Sequence, residues 1–215
     1  MGKDKYILIF AVIALILLGF SYASGLPKLL ADSLFSNPCN IIFIEDECKV
    51  ISASDRITAE IYFDRDKSGK ISDRSTINFA TRNAYAGGTV DYIITAQNIG
   101  EIPVSIDEYK LKIYEKGDSI ADLIYFSGNV KVYHGNNSYY DVLGSFEKVE
   151  LRKLDRMLTS IMKYRKIDIN EKFTLEITLE FDNDRNKFLG KTGVAYELQP
   201  SFIQYFPEKE KPRTE

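Results

Sequence analysis

Strict alternation of apolar and polar residues is the feature that most constrains the fold of this chain. In residues 173–181, FTLEITLEF, aromatic and aliphatic residues alternate with Thr and Glu. A period of two places the apolar residues on one face of a β-strand and the polar residues on the other. Residues 57–63 and 89–97 repeat the pattern, and turn-forming segments such as Gly87-Gly88 separate the candidate strands. Many short strands without alternating helices predict a mainly β chain, an antiparallel, jelly-roll-like β-sandwich.

One segment follows a helical period instead. Within residues 151–165, Leu151, Leu154, Leu158 and Ile161 recur at spacings of three and four residues. This spacing is typical of an amphipathic helix with one apolar stripe. We expect a single helix inserted between strands that covers the core at one end of the sandwich. A helix lying on a membrane surface is the alternative.

Composition narrows the classes of partner and chemistry. The chain carries 28 Lys and Arg against 31 Asp and Glu, a net charge of −3. The charges are spread along the chain and form no basic stripe that would neutralise phosphates, so nucleic acid is not an expected partner. His134 is the only histidine, and there are two cysteines. A structural zinc site or a two-histidine catalytic site is therefore not expected, and His134 is predicted to lie at a strand end.

The first 25 residues indicate where the protein works. Lys3 and Lys5 precede an uncharged apolar run over residues 6–20, and small residues follow at the expected cleavage site. This pattern is typical of a secretory signal peptide, residues 1–25. The uncharged stretch continues to Pro27 and so approaches the length that spans a bilayer, which makes a retained membrane anchor the alternative. In either case the remaining chain is predicted to be extracellular, and a membrane is a partner only if the segment is retained.

An extracellular location changes the interpretation of Cys39, Cys48 and Asn136. In an oxidising compartment two cysteines are more often bridged than free. A Cys39–Cys48 disulfide is predicted, and a bridge between two copies of the chain is the alternative. Asn136 begins an Asn-Asn-Ser sequon in a turn rich in Gly and Asn. Glycosylation at Asn136 is therefore a further hypothesis.

Residues 64–72, DRDKSGKIS, resemble the first part of a calcium-binding loop. Asp64, Asp66 and Ser68 supply oxygen donors at positions one, three and five, followed by a glycine at position six. Position twelve is Ser75 instead of the bidentate Glu that such loops use. Weak calcium binding is one hypothesis, and a plain turn between two strands is the other. No other cofactor is expected.

An ordered set of short segments carries a resemblance to a known family. GGTVDY at residues 87–92 leads into a strand that closes with NIG at 98–100. NKFLG follows at 186–190, and the last strand contains FIQ at 202–204. Taken in this order, the segments resemble the TasA/camelysin family of secreted biofilm-matrix fibre proteins and the related archaeal fibre-forming pilins. The resemblance covers roughly residues 55–206.

The resemblance implies a jelly-roll subunit that polymerises with copies of itself by donor-strand complementation, in which one subunit's N-terminal segment completes the next subunit's sheet. Residues 26–54 contain the candidate donor segment, residues 55–206 the sandwich domain, and residues 207–215 a charged flexible tail. The candidate groove-filling positions are Leu29, Leu30, Leu34, Phe35, Ile41 and Phe43. An intrachain strand or a linker from the membrane is the alternative role for this segment.

Three classes of function compete at this point. The expected class is a secreted structural subunit of an extracellular filament, and a membrane-anchored adhesion or binding module is the alternative. Similarity to camelysin makes a metalloprotease the third candidate. Such an enzyme generally needs several zinc ligands and a general base, as in the motif H-E-x-x-H. His134 is the only histidine in the sequence, so that motif is absent. The chain is therefore not expected to be an enzyme.

Overall fold

The computed structural model of the chain describes residues 39–114, 120–134, 139–188 and 193–205. These residues form two antiparallel β-sheets and one α-helix, α1 (Leu154–Met162). The strands are β1 (Ile41–Phe43), β2 (Lys49–Ala53), β3 (Thr58–Tyr62), β4 (Ile77–Arg82), β5 (Thr89–Asn98), β6 (Val104–Tyr114), β7 (Ile124–His134), β8 (Tyr139–Glu150), β9 (Lys172–Phe181) and β10 (Gly193–Gln204). Short 3₁₀ helices lie at Glu45–Glu47, Ala121–Leu123, Leu151–Lys153 and Arg185–Phe188. The predicted antiparallel β-sandwich with one inserted helix is confirmed.

The two sheets divide the strands unequally. The larger sheet has the order β1-β5-β9-β7-β8, with β2 also paired to β5, and the smaller sheet has the order β3-β4-β10-β6. The central strand β9 shows the alternation expected from the sequence. Its residues Leu175, Ile177 and Leu179 are buried, whereas the intervening Glu176 and Thr178 are only partly buried. One face of the larger sheet therefore meets the core and the other faces outward.

Four aromatic side chains join the sheets at the centre of the core. Phe79 and Tyr196 from the smaller sheet stack with ring centroids 4.7 Å apart. Tyr92 of the larger sheet meets Phe79 edge-on at 5.4 Å, and Phe126 meets Tyr196 edge-on at 5.9 Å. All four side chains are almost fully buried. Such offset and edge-on pairs add to the stabilisation that burial itself provides.

The helix closes one side of the sandwich. Leu151, Leu154 and Leu158 of the predicted apolar stripe are buried, whereas Ile161 is only partly buried and its neighbour Met162 is buried instead. The helix packs against β6 and β8, which are edge strands of opposite sheets. The helix ends at Met162, whereas the sequence pattern ran to residue 165. From Lys163 the backbone is extended and pairs with β6.

The sandwich begins earlier in the chain than the sequence indicated. Strands β1 and β2 both precede residue 55, the boundary expected from the sequence. Strand β1 pairs with β5, and its Ile41 and Phe43 side chains are fully buried. For Ile41 and Phe43, the structure therefore shows the alternative role, an intrachain strand, and not the donor role. Their apolar side chains fill their own core.

The predicted Cys39–Cys48 disulfide is absent, because the two cysteines lie beside different residues of the neighbouring strand β5. Next to Cys39, Asn40 O accepts a hydrogen bond from Ile99 N–H at 2.8 Å, whereas Cys48 Sγ donates to Thr95 O at 3.4 Å. Four positions along a strand correspond to roughly 13 Å, well beyond the Cα separation of about 7 Å that a disulfide tolerates. Both cysteines are buried free thiols. Burial raises the pKa of Cys48 to about 12, which keeps this thiol protonated and unreactive.

Several sequence predictions fall outside the described residues. These are the signal segment 1–25, the sequon residue Asn136, the tail 207–215, and the donor positions Leu29, Leu30, Leu34 and Phe35. In the part of the chain that is described, no helix is long and apolar enough to cross a membrane.

Candidate functional site

Most sheet edges in the described residues are covered or short. At β1, Phe43 N–H donates to Arg74 O at 2.8 Å. At β6, Tyr109 N–H donates to Thr159 Oγ1 of α1 at 2.8 Å, and residue 167 pairs with the start of the strand. Strands β2 and β3 have five residues each. Coverage and shortness both limit the pairing of a sheet edge with a foreign strand.

Strand β8 is the exception among these edges over its first half. It has 12 residues, pairs only with β7 among the described strands, and meets α1 near Gly144. Tyr139, Tyr140 and Val142 near its start are each at least half exposed. The first five residues, YYDVL, contain no Lys or Pro, the residues that commonly block edge pairing. The first half of β8 is therefore an apolar edge suited to strand addition, and we call residues 139–143 the β8 edge.

Neighbouring side chains hold the aromatic residues of the β8 edge in place. The rings of Tyr133 on β7 and Tyr140 lie 5.4 Å apart. Lys131 Nζ sits 4.9 Å from the Tyr140 ring centroid and forms a 2.6 Å ion pair with Glu176. A cation above a ring face is attracted to its π electrons. The Tyr140 ring is therefore exposed but supported by two side chains of the neighbouring strand β7.

The charge on the β8 edge, Asp141, is paired with His134. His134 is the last residue of β7, as the sequence predicted. Its Nδ1 lies 2.5 Å from Glu171 Oε1, and its Nε2 lies 3.2 Å from Asp141 Oδ2. The hydrogen bond to Glu171, followed by weaker contributions from Asp141, raises the pKa of His134 above its ordinary value of 6.5. Protonated His134 therefore ties β7, β8 and residue 171 together.

This arrangement predicts that the folded protein loses stability as pH rises through the pKa of His134. The folded state binds the His134 proton more tightly than the unfolded state, so the contribution is fully present below 6.5, the ordinary pKa. It disappears once the pH exceeds the raised pKa of the folded state. Urea unfolding at about pH 6 and about pH 9 is expected to show this decrease for the native chain. His134→Gln is expected to reduce it, and an unchanged decrease in that variant would contradict the assignment.

The candidate calcium loop forms a tight turn after β3. Asp66 Oδ1 accepts hydrogen bonds from Ser68 N–H at 2.7 Å, Ser68 Oγ at 2.6 Å and Lys70 N–H at 3.1 Å. The Ser68 hydroxyl is the largest cause of the lowered pKa of Asp66. The Asp64 carboxylate instead lies 3.4 Å from Asn78 Nδ2. These hydrogen bonds account for the spacing of Asp64, Asp66 and Ser68 as that of a turn, without a bound ion. Calcium binding stays a hypothesis.

No metal centre emerges elsewhere in the described ranges. Across residues 39–114, 120–134, 139–188 and 193–205, no group of three or more His, Cys, Asp and Glu side chains is arranged to hold a metal ion. His134 meets two carboxylates, so its hydrogen bonds account for its position between strands.

The alternation pattern did not single out residues 139–143 as an exposed sheet edge, although a signal was present. The available signal was the Tyr-Tyr pair followed by Asp-Val-Leu, an aromatic and aliphatic start without Lys or Pro. Alternation alone does not show which strand lies at the end of a sheet. The tertiary pairing supplies that information, because β8 has a described neighbour on one side.

Comparison with known proteins gives no match: neither a family model, nor a curated protein, nor a solved structure aligns significantly with the chain.

Proposed function

We propose that this chain is an extracellular structural subunit that assembles into a filament by strand addition. The observation that carries the proposal is the β8 edge. Among the described strands it pairs with β7 alone, and its side chains Tyr139, Tyr140 and Val142 are exposed. An incoming strand would satisfy the backbone groups of β8 and cover these side chains. The signal-like segment at residues 1–25 supports an extracellular setting.

The donor in this proposal is the segment at residues 26–38 of a second copy. It carries Leu29, Leu30, Leu34 and Phe35, spaced among small and polar residues. It excludes Ile41 and Phe43, which belong to the core of their own subunit. Because donor and acceptor are different surfaces of the same chain, the contact is head-to-tail, and it propagates when its rotation does not close into a ring. Repetition of such a contact builds a filament.

A single charge at the β8 edge tests the proposal. Val142→Lys places an ammonium group where the incoming strand packs, and it is expected to abolish filaments seen by negative-stain microscopy. The matched control is Ile51→Lys on β2, at the opposite edge of the larger sheet. The two native side chains are similarly exposed, at 54% for Val142 and 51% for Ile51. The control protein is expected to form filaments of normal length.

Sedimentation velocity and circular dichroism complete the test. The Val142→Lys protein is expected to sediment as a folded monomer with an unchanged spectrum, because this side chain is already half exposed. Normal filaments from the Val142→Lys protein would reject the β8 edge as the acceptor. A native protein that stays monomeric at all concentrations would reject filament assembly itself.

A further inference from the structure

The outer face of the smaller sheet contains a shallow depression. The β8 edge belongs to the other sheet. In one row across the sheet, Glu60 of β3 pairs with Ala80 of β4, Ala80 with Ala195 of β10, and Ala195 with Tyr114 of β6. The row faces away from the core, because the adjacent residue Tyr196 points into it. Two small side chains thus lie between two large ones.

Small residues form the floor of this depression, which we call the outer depression. Ala80, Ala195 and Gly193 line its base, and Glu60, Tyr62 and Tyr114 line its sides. Its volume is about 810 Å³, within the range of small-molecule sites. Three strand spacings separate β3 from β6, a width of roughly 14 Å. This width suits a short chain of several rings better than a single small molecule.

The two tyrosines present exposed rings on opposite sides of the outer depression. Tyr62 and Tyr114 are both exposed. The Tyr114 hydroxyl donates a hydrogen bond to the Glu197 carboxylate, and Lys112 Nζ lies 4.7 Å from the centroid of its ring. These contacts fix the Tyr114 ring before any ligand arrives, which lowers the entropy cost of binding. Exposed, preorganised aromatic rings supply an apolar surface together with a polar tip.

The charges around the outer depression balance. Glu60 and Glu197 contribute negative charge, and Arg82 and Lys112 contribute positive charge. A balanced rim favours neither a strongly anionic nor a strongly cationic ligand. The same carboxylate, guanidinium and ammonium groups are hydrogen-bond acceptors and donors for hydroxyl groups. The ligand that combines apolar ring faces with many hydroxyls and no charge is a neutral sugar.

We propose that the outer depression binds a short, uncharged oligosaccharide. The apolar faces of its sugar rings lie against Tyr62 and Tyr114, and its hydroxyls bond to Glu60 and Arg82. The bare floor at Ala80 and Ala195 lets the rings approach the sheet. This binding goes beyond filament assembly and does not depend on it, since the β8 edge belongs to the other sheet.

Calorimetric titration of the full chain with cellotetraose, maltotetraose and chitotetraose tests the proposal. Binding of at least one of these probes is expected. Tyr62→Ala removes one ring and is expected to weaken that binding by about tenfold or more. Ala195→Arg fills the floor and is expected to abolish it. The control Tyr164→Ala removes an exposed tyrosine outside the outer depression and is expected to bind like the native chain.

Two results would overturn the inference. One is the absence of binding by the native chain to all three probes at millimolar concentration. The other is binding that persists unchanged in Tyr62→Ala. Circular dichroism confirms that each variant is folded, and Tyr62→Ala keeps the test decisive if the larger substitution disturbs the sheet. Filament formation is scored separately, so a failure here leaves the role of the β8 edge to its own test.

Discussion

Deleting residues 26–44 is expected to destabilise the sandwich severely, whereas deleting residues 26–38 is expected to leave it folded. The longer deletion removes Ile41 and Phe43, both fully buried, and with them strand β1. Burial of two such side chains stabilises by about 3 to 6 kcal/mol together. The total stability of a domain is about 5 to 15 kcal/mol, so this loss is a large part of it. Urea unfolding of the two truncated proteins measures the difference.

The shorter deletion separates folding from assembly. The protein that lacks residues 26–38 retains β1 and its hydrogen bond from Ile44 N–H to Thr95 O, and it is expected to unfold at the same urea concentration as the native chain. If residues 26–38 are the donor, this protein forms no filaments. Phe43→Ala in the full chain isolates the core contribution and is expected to cost about 3 to 5 kcal/mol. Equal urea midpoints for the two truncated proteins would contradict the assignment of β1 to the core.

Gly128→Ala is expected to destabilise the larger sheet by about 3 kcal/mol, the upper end of the usual cost of overpacking. Gly128 lies on β7 opposite Ile177 of β9, at a point where the pairing with β8 shifts register. A Cβ atom there would lie 2.2 Å from Glu176 O and 2.9 Å from Ile177 Cα. Both atoms belong to the backbone of a central strand. Relief therefore requires the strands themselves to move apart.

Gly144→Ala on β8 is the matched control for that substitution. Its Cβ atom would meet Ile161 side-chain atoms of α1 at 3.0 and 3.1 Å. Ile161 is only partly buried and can shift, and alanine in a strand is favoured over glycine by about 0.5 to 1 kcal/mol. The net change in the free energy of unfolding is expected to be below about 1 kcal/mol, measured by the same urea titration. Similar losses for both variants would show that close backbone approach at Gly128 is not the cause.

Local sequence patterns were sufficient to predict the main secondary-structure elements and the class of fold. The alternation in residues 173–181 and the three- and four-residue spacing from Leu151 to Ile161 survive as β9 and α1. Both patterns are local, because each records which face of one element meets the core. The position of His134 at a strand end was predictable for the same reason. Local patterns of this kind are enough to predict a sandwich with one helix.

The positions of those elements relative to one another follow from strand pairing, which local patterns do not contain. The pairing of β1 with β5 placed Ile41 and Phe43 in the core and kept Cys39 away from Cys48. The strand order left β8 at an edge and brought Ala80 beside Ala195 on an outer face. These relations join residues distant in sequence, and strand register depends on the combined packing of both faces. No single segment contains that information, because pairing energies come from partners that the segment itself does not specify.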